Sequence, residues 1–384
     1  GDGVAHTIHR ELDQPDPARA GGRPVTPTAP GAETPCTARP TSTHDRDTWS
    51  TEMKTVITGG AGFIGSHLAD HLLGLGDSVT AIDDLSTGSR LNLEQAQQHS
   101  RFRLIEGSIL DRDLVHEVIA GADRVFHLAA AVGVRRIIEN PLGSLRTNIH
   151  GTENVLDATL AASAVLVLAS TSEIYGKNTA DSLSEDADRI LGSPLTSRWT
   201  YAAAKGIDEA FAHAYWTDFG LRVSIVRLFN TVGPRQTGRY GMVVPNLVGQ
   251  ALRGEPLTVF GDGRQTRCFS YVGDIVPALV RLGEEPRAYG RAVNLGGPQE
   301  VSIIDLAQRA IDLLDSSSTI TLVPYEQAYG EGFEDMRRRV PDNSLAQRLI
   351  GFEPAARLDD IIHAVAAGLQ ERAASEPVLA HAPQ

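Results

Sequence analysis

The chain has 384 residues, 41% hydrophobic and 22% charged, with a formal net charge of −13. That is material for one large or two ordinary domains with an ample core, in the range of soluble globular proteins. The acidic balance excludes a nucleic-acid footprint, two cysteines (Cys36 and Cys268) cannot staple the fold, and no run is long enough to span a membrane.

Residues 1–52 are rich in Pro, Thr, Ala, Gly and charge without periodicity, and bury too little to offset their ordering entropy, so a disordered extension is expected. Met53 opens directly onto the first strand and is read as the natural start, the preceding stretch being an added or misassigned region. With no apolar signal core and no disulfide framework, the expected setting is cytoplasmic.

Lys54-Thr55-Val56-Ile57 predicts a short buried strand, and Ser66–Leu75 has helical spacing at Leu68, Leu72 and Leu75. Between them, Thr58-Gly59-Gly60-Ala61-Gly62-Phe63-Ile64-Gly65 sets a G-x-x-G-x-x-G array at a strand-to-helix turn. There the backbone must bend tightly, approach a ligand and let helix pack on strand. The helix N-terminus offers its amides to a pyrophosphate. The strand Asp77–Ile82 ends in Asp83, where an acid should hydrogen-bond an adenosine ribose. With Asp84 beside it a 2′-phosphate would be repelled, so NAD is expected rather than NADP.

Strands and helices alternate from here, predicting an α/β fold with a doubly wound parallel sheet. Arg101–Ile105 is a third strand and Asp111–Ala120 a helix begun by an Asp cap. Arg124–Ala130 is a buried strand whose small final residues leave room for a cofactor, with His127 read as a satisfied core histidine. Pro141–Ala162 predicts one long helix. Ala164–Ser170 is the next strand, with Thr171-Ser172-Glu173 at its C-terminal end, the edge where ligands lie in such sheets. A helix from Tyr201 to Phe219 and a strand Arg222–Leu228 follow. The rest mixes short helices, short strands and Arg- and Gly-rich loops, the pattern of a smaller α/β substrate-binding part. The expected division is 53–230 for the dinucleotide and 231–384 mainly for substrate, with some return to the sheet. No metal site is expected.

Tyr201 and Lys205 stand four apart and so project from one helix face. A nearby ammonium and the positive nicotinamide both favour the phenolate, and the expectation is that both pull the tyrosine's pKa down toward working pH.

These stretches resemble the extended short-chain dehydrogenases/reductases that act on nucleotide sugars, the NAD-dependent epimerase/dehydratase family. The resemblance runs from Met53 to about Leu369. It is carried by the glycine turn, His127-Leu128-Ala129-Ala130, Ser170-Thr171-Ser172-Glu173-Ile174-Tyr175-Gly176, Tyr201-x-x-x-Lys205, Arg227 to Arg235, Gly261 to Arg267, and Arg339-Val340-Pro341-Asp342. It implies a Rossmann-type fold. It further implies that Gly59, Gly62, Phe63, Ile64, Gly65, Asp83, Ser108, Ile109, Leu128, Ala129 and Ala130 surround NAD together with Tyr201 and Lys205. Lys205 also bonds the nicotinamide ribose; Ser108 stands where members commonly carry an Asp. Thr171 would hold the sugar C4 hydroxyl and Tyr201 would be the base that starts its oxidation. Ser172, Asn230, Arg235, Val244, Thr258, Phe260, Arg267 and Arg339 would meet the nucleotide sugar. A homodimer through the helices Pro141–Ala162 and Tyr201–Phe219 is also implied.

The fate of a C4 ketone defines the reaction. A C5 carboxylate gives a β-keto acid that loses carbon dioxide; a C5 hydroxymethyl group permits 4,6-dehydration; a turned ring gives 4-epimerisation. Thr171-Ser172-Glu173 resembles the triplet of nucleotide-sugar glucuronate decarboxylases, as does Gly254 to Gly261 followed by Gln265-Thr266-Arg267. Arg198-Trp199-Thr200 departs from that pattern. The expected function is conversion of UDP-glucuronate to UDP-xylose with internal recycling of NAD. A 4-epimerase or 4,6-dehydratase, and a non-catalytic NAD sensor, stand as alternatives.

Overall fold

A computed structural model describes residues 52–133, 140–238, 241–329 and 336–375. The extension expected at 1–52, apart from Glu52, lies outside them. The apolar runs form β1 (Lys54–Thr58), β2 (Ser78–Asp83), β3 (Phe102–Glu106), β4 (Arg124–His127), β5 (Val165–Thr171) and β6 (Val223–Leu228). Shorter strands follow: β7 (Thr231–Val232), β8 (Leu257–Phe260), β9 (Thr266–Cys268), β10 (Ser270–Tyr271), β11 (Ala292–Leu295), β12 (Glu300–Ser302), β13 (Ile320–Val323) and β14 (Arg338–Arg339).

The main sheet is seven-stranded, in the order β11-β6-β5-β4-β1-β2-β3, and every pairing in it is parallel. Parallel sheets need both faces covered, and side-chain alternation supplies the two faces. Ile57, Phe126, Val167 and Val226 pack with the helices Phe63–Leu75 and Val272–Glu284. Their neighbours Val56, Val125, Leu166 and Ile225 pack on the other side, with helices Arg112–Ile119, Pro141–Ala161 and Thr200–Phe219. A third core joins helices Val243–Leu252, Ile303–Leu313 and Leu358–Ser375 to β8. β11 is drawn from the later part of the chain and edges the main sheet beside β6.

Strand order reverses between β1 and β4, which opens a crevice at their carboxyl ends. β4 stops at His127, short of the expected Ala130. Beyond it the chain leaves the ladder: Ala129 donates its amide to Thr58 Oγ1 at 3.2 Å and Ala131 donates to Asn148 Oδ1 at 2.7 Å. The helix after β1 begins at Phe63, earlier than the expected Ser66, with Gly62 as its cap. Among the described residues, no helix is long and apolar enough to cross a membrane and no His/Cys/Asp/Glu cluster could hold a metal ion.

Candidate active site

The glycine turn leaves no room for side chains. Gly59 has φ +72°, and a Cβ there would lie 2.7 Å from the Ala129 amide nitrogen. A Cβ on Gly65 would lie 2.2 Å from the Gly59 carbonyl oxygen. Gly62 caps the helix without any side-chain acceptor, so the first helical amides face a cavity of about 350 Å³ walled by Gly59, Gly62, Phe63, Ile64 and Gly65. Asp83 lines the same cavity and braces the turn, accepting from the amides of Ala61 at 2.9 Å and Leu85 at 2.8 Å. Burial raises its pKa, against those two bonds. Ile109, Leu128, Ala129 and Ala130 complete the apolar wall. Ser108 is not in that wall; its hydroxyl accepts from the Leu110 amide at 3.2 Å. A cradle that excludes Cβ atoms, an open helix N-terminus and an acid at the next strand end fit a dinucleotide.

β5 delivers Thr171, Ser172 and Glu173 to the same edge. Thr171 Oγ1 accepts from the Glu173 amide at 3.2 Å and caps a single 3₁₀ turn, Ser172–Tyr175, which aims Glu173 into the cleft. Tyr201, on the helix Thr200–Phe219, hydrogen-bonds Thr171. Lys205 follows on the same face and its Nζ lies 3.1 Å from Asp208 Oδ2, both side chains being fully buried. The expected lowering of the tyrosine's pKa is therefore not found. Burial raises it, and the Glu173 and Asp208 carboxylates push it further, with only the Thr171 bond opposing. The Lys205 charge is already matched by Asp208. His127 is a core residue as expected, its nitrogens 2.7 Å from Thr58 Oγ1 and 3.0 Å from Thr152 Oγ1. Burial, then Lys205, push its pKa down to about 3.

The opposite wall is built of arginines. Arg198 Nη1 meets Glu173 Oε2 at 2.7 Å, and Arg339 Nη1 lies 3.6 Å from Glu173 Oε1. Burial opposes the charge on Glu173, but Arg198, Arg339 and Arg267 outweigh it and hold the carboxyl below its usual range. Arg339 also donates to Asn230 Oδ1 at 2.9 Å and Ser172 Oγ at 3.3 Å. Asn230, at φ +32°, donates to the Cys268 carbonyl at 2.9 Å. β14 pairs with β9 so that Arg339 sits opposite Arg267. A second cavity, about 240 Å³, is walled by Val244, Thr258, Phe260, Asn230, Arg198, Arg267 and Arg339. It shares Glu173, Tyr201, Asn230 and Arg339 with the first, so the two form one cleft with Tyr201 and Glu173 at the seam. Arg235 lines only the first cavity of the pair and pairs with Asp70 at 2.7 Å. Arg198 and Asp208 were not expected here. Their signals were an arginine three residues before Tyr201 and an acid one turn after Lys205.

The model of the NAD dependent epimerase/dehydratase family matches residues 55–296. A UDP-N-acetyl-alpha-D-glucosaminuronate decarboxylase of Bacillus cytotoxicus is 42% identical over 304 residues, covering 79% of this chain and 93% of its own. UDP-glucuronic acid decarboxylase 1 of Xenopus tropicalis is 38% identical over 307 residues, covering 80% of this chain and 70% of its own. Among solved structures, the UDP-glucuronic acid 4-epimerase of Bacillus cereus, in complex with UDP-glucuronic acid and NAD, superposes with a TM-score of 0.75 at 31% identity. It covers 83% of this chain and 100% of its own. The Rossmann-type sheet, the glycine cradle and the extent of these matches agree, and the chain belongs to the NAD dependent epimerase/dehydratase family.

Proposed function

We propose that this enzyme decarboxylates a UDP-hexuronate, taking UDP-glucuronate to UDP-xylose through a 4-keto sugar. The observation that carries this reading is Glu173 held by Arg198 beside Tyr201, in a wall where three buried guanidinium groups face one carboxylate. Such an excess of positive charge suits a sugar nucleotide that brings a carboxylate as well as a diphosphate. Residues 53–230 would hold NAD and residues 231–384 mainly the substrate. NAD, held by Gly59, Gly62, Gly65, Asp83 and Lys205, would supply hydride transfer and a positive ring beside Tyr201.

Tyr201 takes the C4 hydroxyl proton while Thr171 holds that oxygen. The resulting β-keto acid breaks its bond to the carboxylate, releasing carbon dioxide and leaving an enolate. Glu173, held ionised at neutral pH by its arginines, orders the solvent water that returns a proton to C5. Tyr201 then gives its proton back as the C4 ketone is reduced. Arg267 and Arg339 hold the anionic groups, Arg235 the neighbouring loop, and Val244, Thr258 and Phe260 the nucleoside end. A second reading, favoured by the 42% identical relative, is that the sugar carries a 2-acetamido group.

Mass spectrometry of the nucleotides formed from UDP-glucuronate, UDP-N-acetylglucosaminuronate and UDP-glucose, each with NAD, separates the readings. Loss of carbon dioxide from either uronate supports decarboxylation and names the sugar. A product of unchanged mass but altered chromatographic retention identifies a 4-epimerase, loss of water a 4,6-dehydratase, and unchanged mass and retention with every sugar a non-catalytic sensor. The homodimer belongs to the same proposal. It is supported by the exposed Leu142 (59%) and Phe219 (63%) on helices Pro141–Ala161 and Thr200–Phe219, and light scattering should give twice the chain mass.

A further inference from the structure

Beneath the cleft lies a buried polar line for which the reaction above has no use. Thr58 Oγ1 accepts from the Ala129 amide at 3.2 Å, so its own buried proton goes to His127 Nδ1, 2.7 Å away. That assigns the neutral histidine's single ring proton to Nε2, which donates to Thr152 Oγ1 at 3.0 Å. Burial raises the Asp208 pKa, and the Lys205 charge and then the Lys205 and Thr152 hydrogen bonds oppose that rise; the carboxylate is 3.1 Å from Lys205 Nζ. Asp208 is fully buried, and neither of its oxygens has a well-angled hydrogen bond among the described residues. An under-satisfied buried carboxylate is costly. Here its effect is to place one negative charge against the lysine that shares a helix face with Tyr201.

We propose that Asp208 is a positioning residue that cancels the charge of Lys205, so that Tyr201 remains a protonated phenol until a positively charged ligand sits beside it. The proposal rests on the functional reading above for the role of Tyr201, but not for the electrostatics. A redox-neutral cycle needs Tyr201 as a base in its first half and an acid in its second. A fixed uncompensated ammonium would bias it permanently toward phenolate.

The groups around the pair agree. Tyr201 is faced by Glu173 and Thr171 from the edge of β5 and by Asp208 from its own helix. Asp208 is faced by Lys205, by Thr152 from the helix Pro141–Ala161, and by Glu209. Glu209 is neutralised by Arg227 at 2.7 Å, and Glu173 by Arg198 at 2.7 Å. The described groups around Tyr201 therefore leave no unmatched cation on its helix.

The test is a ¹³C-tyrosine NMR titration of the free protein, with the Tyr201 signal assigned by its loss in Tyr201→Phe. In the wild type Tyr201 should remain a phenol throughout the accessible alkaline range. In Asp208→Asn its midpoint should come within that range, and the alkaline-rising limb of kcat should move acidward by about one to two pH units. Asp208→Ser is read the same way should the Asn variant fail to fold. An unmoved or raised Tyr201 midpoint in the folded variant overturns the proposal. A lowered midpoint in a protein that turns over no uronate would overturn the functional reading and leave the coupling standing.

Discussion

The two walls of the cleft are made of different materials. The dinucleotide wall is largely backbone: Gly59 and Gly65 leave no room for a Cβ at their positions in the turn, and the tighter of the two approaches is 2.2 Å. The sugar wall is side-chain charge: Arg198, Arg267, Arg339 and Glu173 arrive from separate elements, with one carboxylate set against three guanidinium groups. The first wall depends on excluded volume and the second on charge balance, so each should fail to a different kind of substitution. Tyr201 stands where they meet.

The largest effect should come from the seam. Tyr201→Phe is expected to lower decarboxylation about 10³-fold while calorimetric NAD binding stays unchanged; a loss of NAD binding would place the phenol in the wrong wall. Next comes the backbone wall. Gly65→Ala should introduce about 1–3 kcal/mol of strain, read as NAD binding roughly 10- to 100-fold weaker, with melting temperature reporting the same strain. The sugar wall should tolerate shape and fail to charge. Glu173→Gln, nearly isosteric, should slow formation of the UDP-pentose about tenfold or more and slow C4 oxidation less, so the near-ultraviolet band of reduced nicotinamide should accumulate during single turnover. Its absence would remove Glu173 from the later steps.

The pH dependence of stability separates the walls again. His127 has a folded pKa of about 3 against 6.5 for the free side chain. Only the unfolded chain then takes up this proton, so the stability is complete above pH 6.5 and falls as pH drops toward 3, by about 1.4 kcal/mol per unit. His127→Gln should flatten that slope in urea titrations. Glu173 has the same sign in a lower window: its folded pKa is also depressed, so its contribution is present above the usual carboxylate range and is lost as pH falls below it. The smallest effect should be Gly74→Ala. A Cβ there meets nothing within 4 Å inside the helix Phe63–Leu75, so about 0.5–1 kcal/mol of stability should be gained with NAD binding untouched.

What was legible in the chain follows the same division. The alternation of strands and helices, the glycine turn and Asp83 are local features, in which a few adjacent residues determine both conformation and chemistry. Tyr201 and Lys205 were legible as a pair because four residues on a helix define a face. The protonation of that pair was not, because it depends on Asp208 and on Glu173, which comes from β5's edge. Arg198 looked like a departure from pattern for the same reason: its partner stands 25 residues away and the rest of its wall comes from β9 and β14. Ser108 carries the appropriate position but turns its hydroxyl into its own loop, a choice made by local turn geometry.

The most direct test is to supply UDP-glucuronate carrying ¹³C in the carboxylate, with NAD and the purified full chain, and follow the label by NMR. The label should leave as carbon dioxide and bicarbonate in step with the appearance of a UDP-pentose. A label that remains in a nucleotide hexuronate, whether as the C4 epimer or as untouched substrate, would contradict decarboxylation at this cleft.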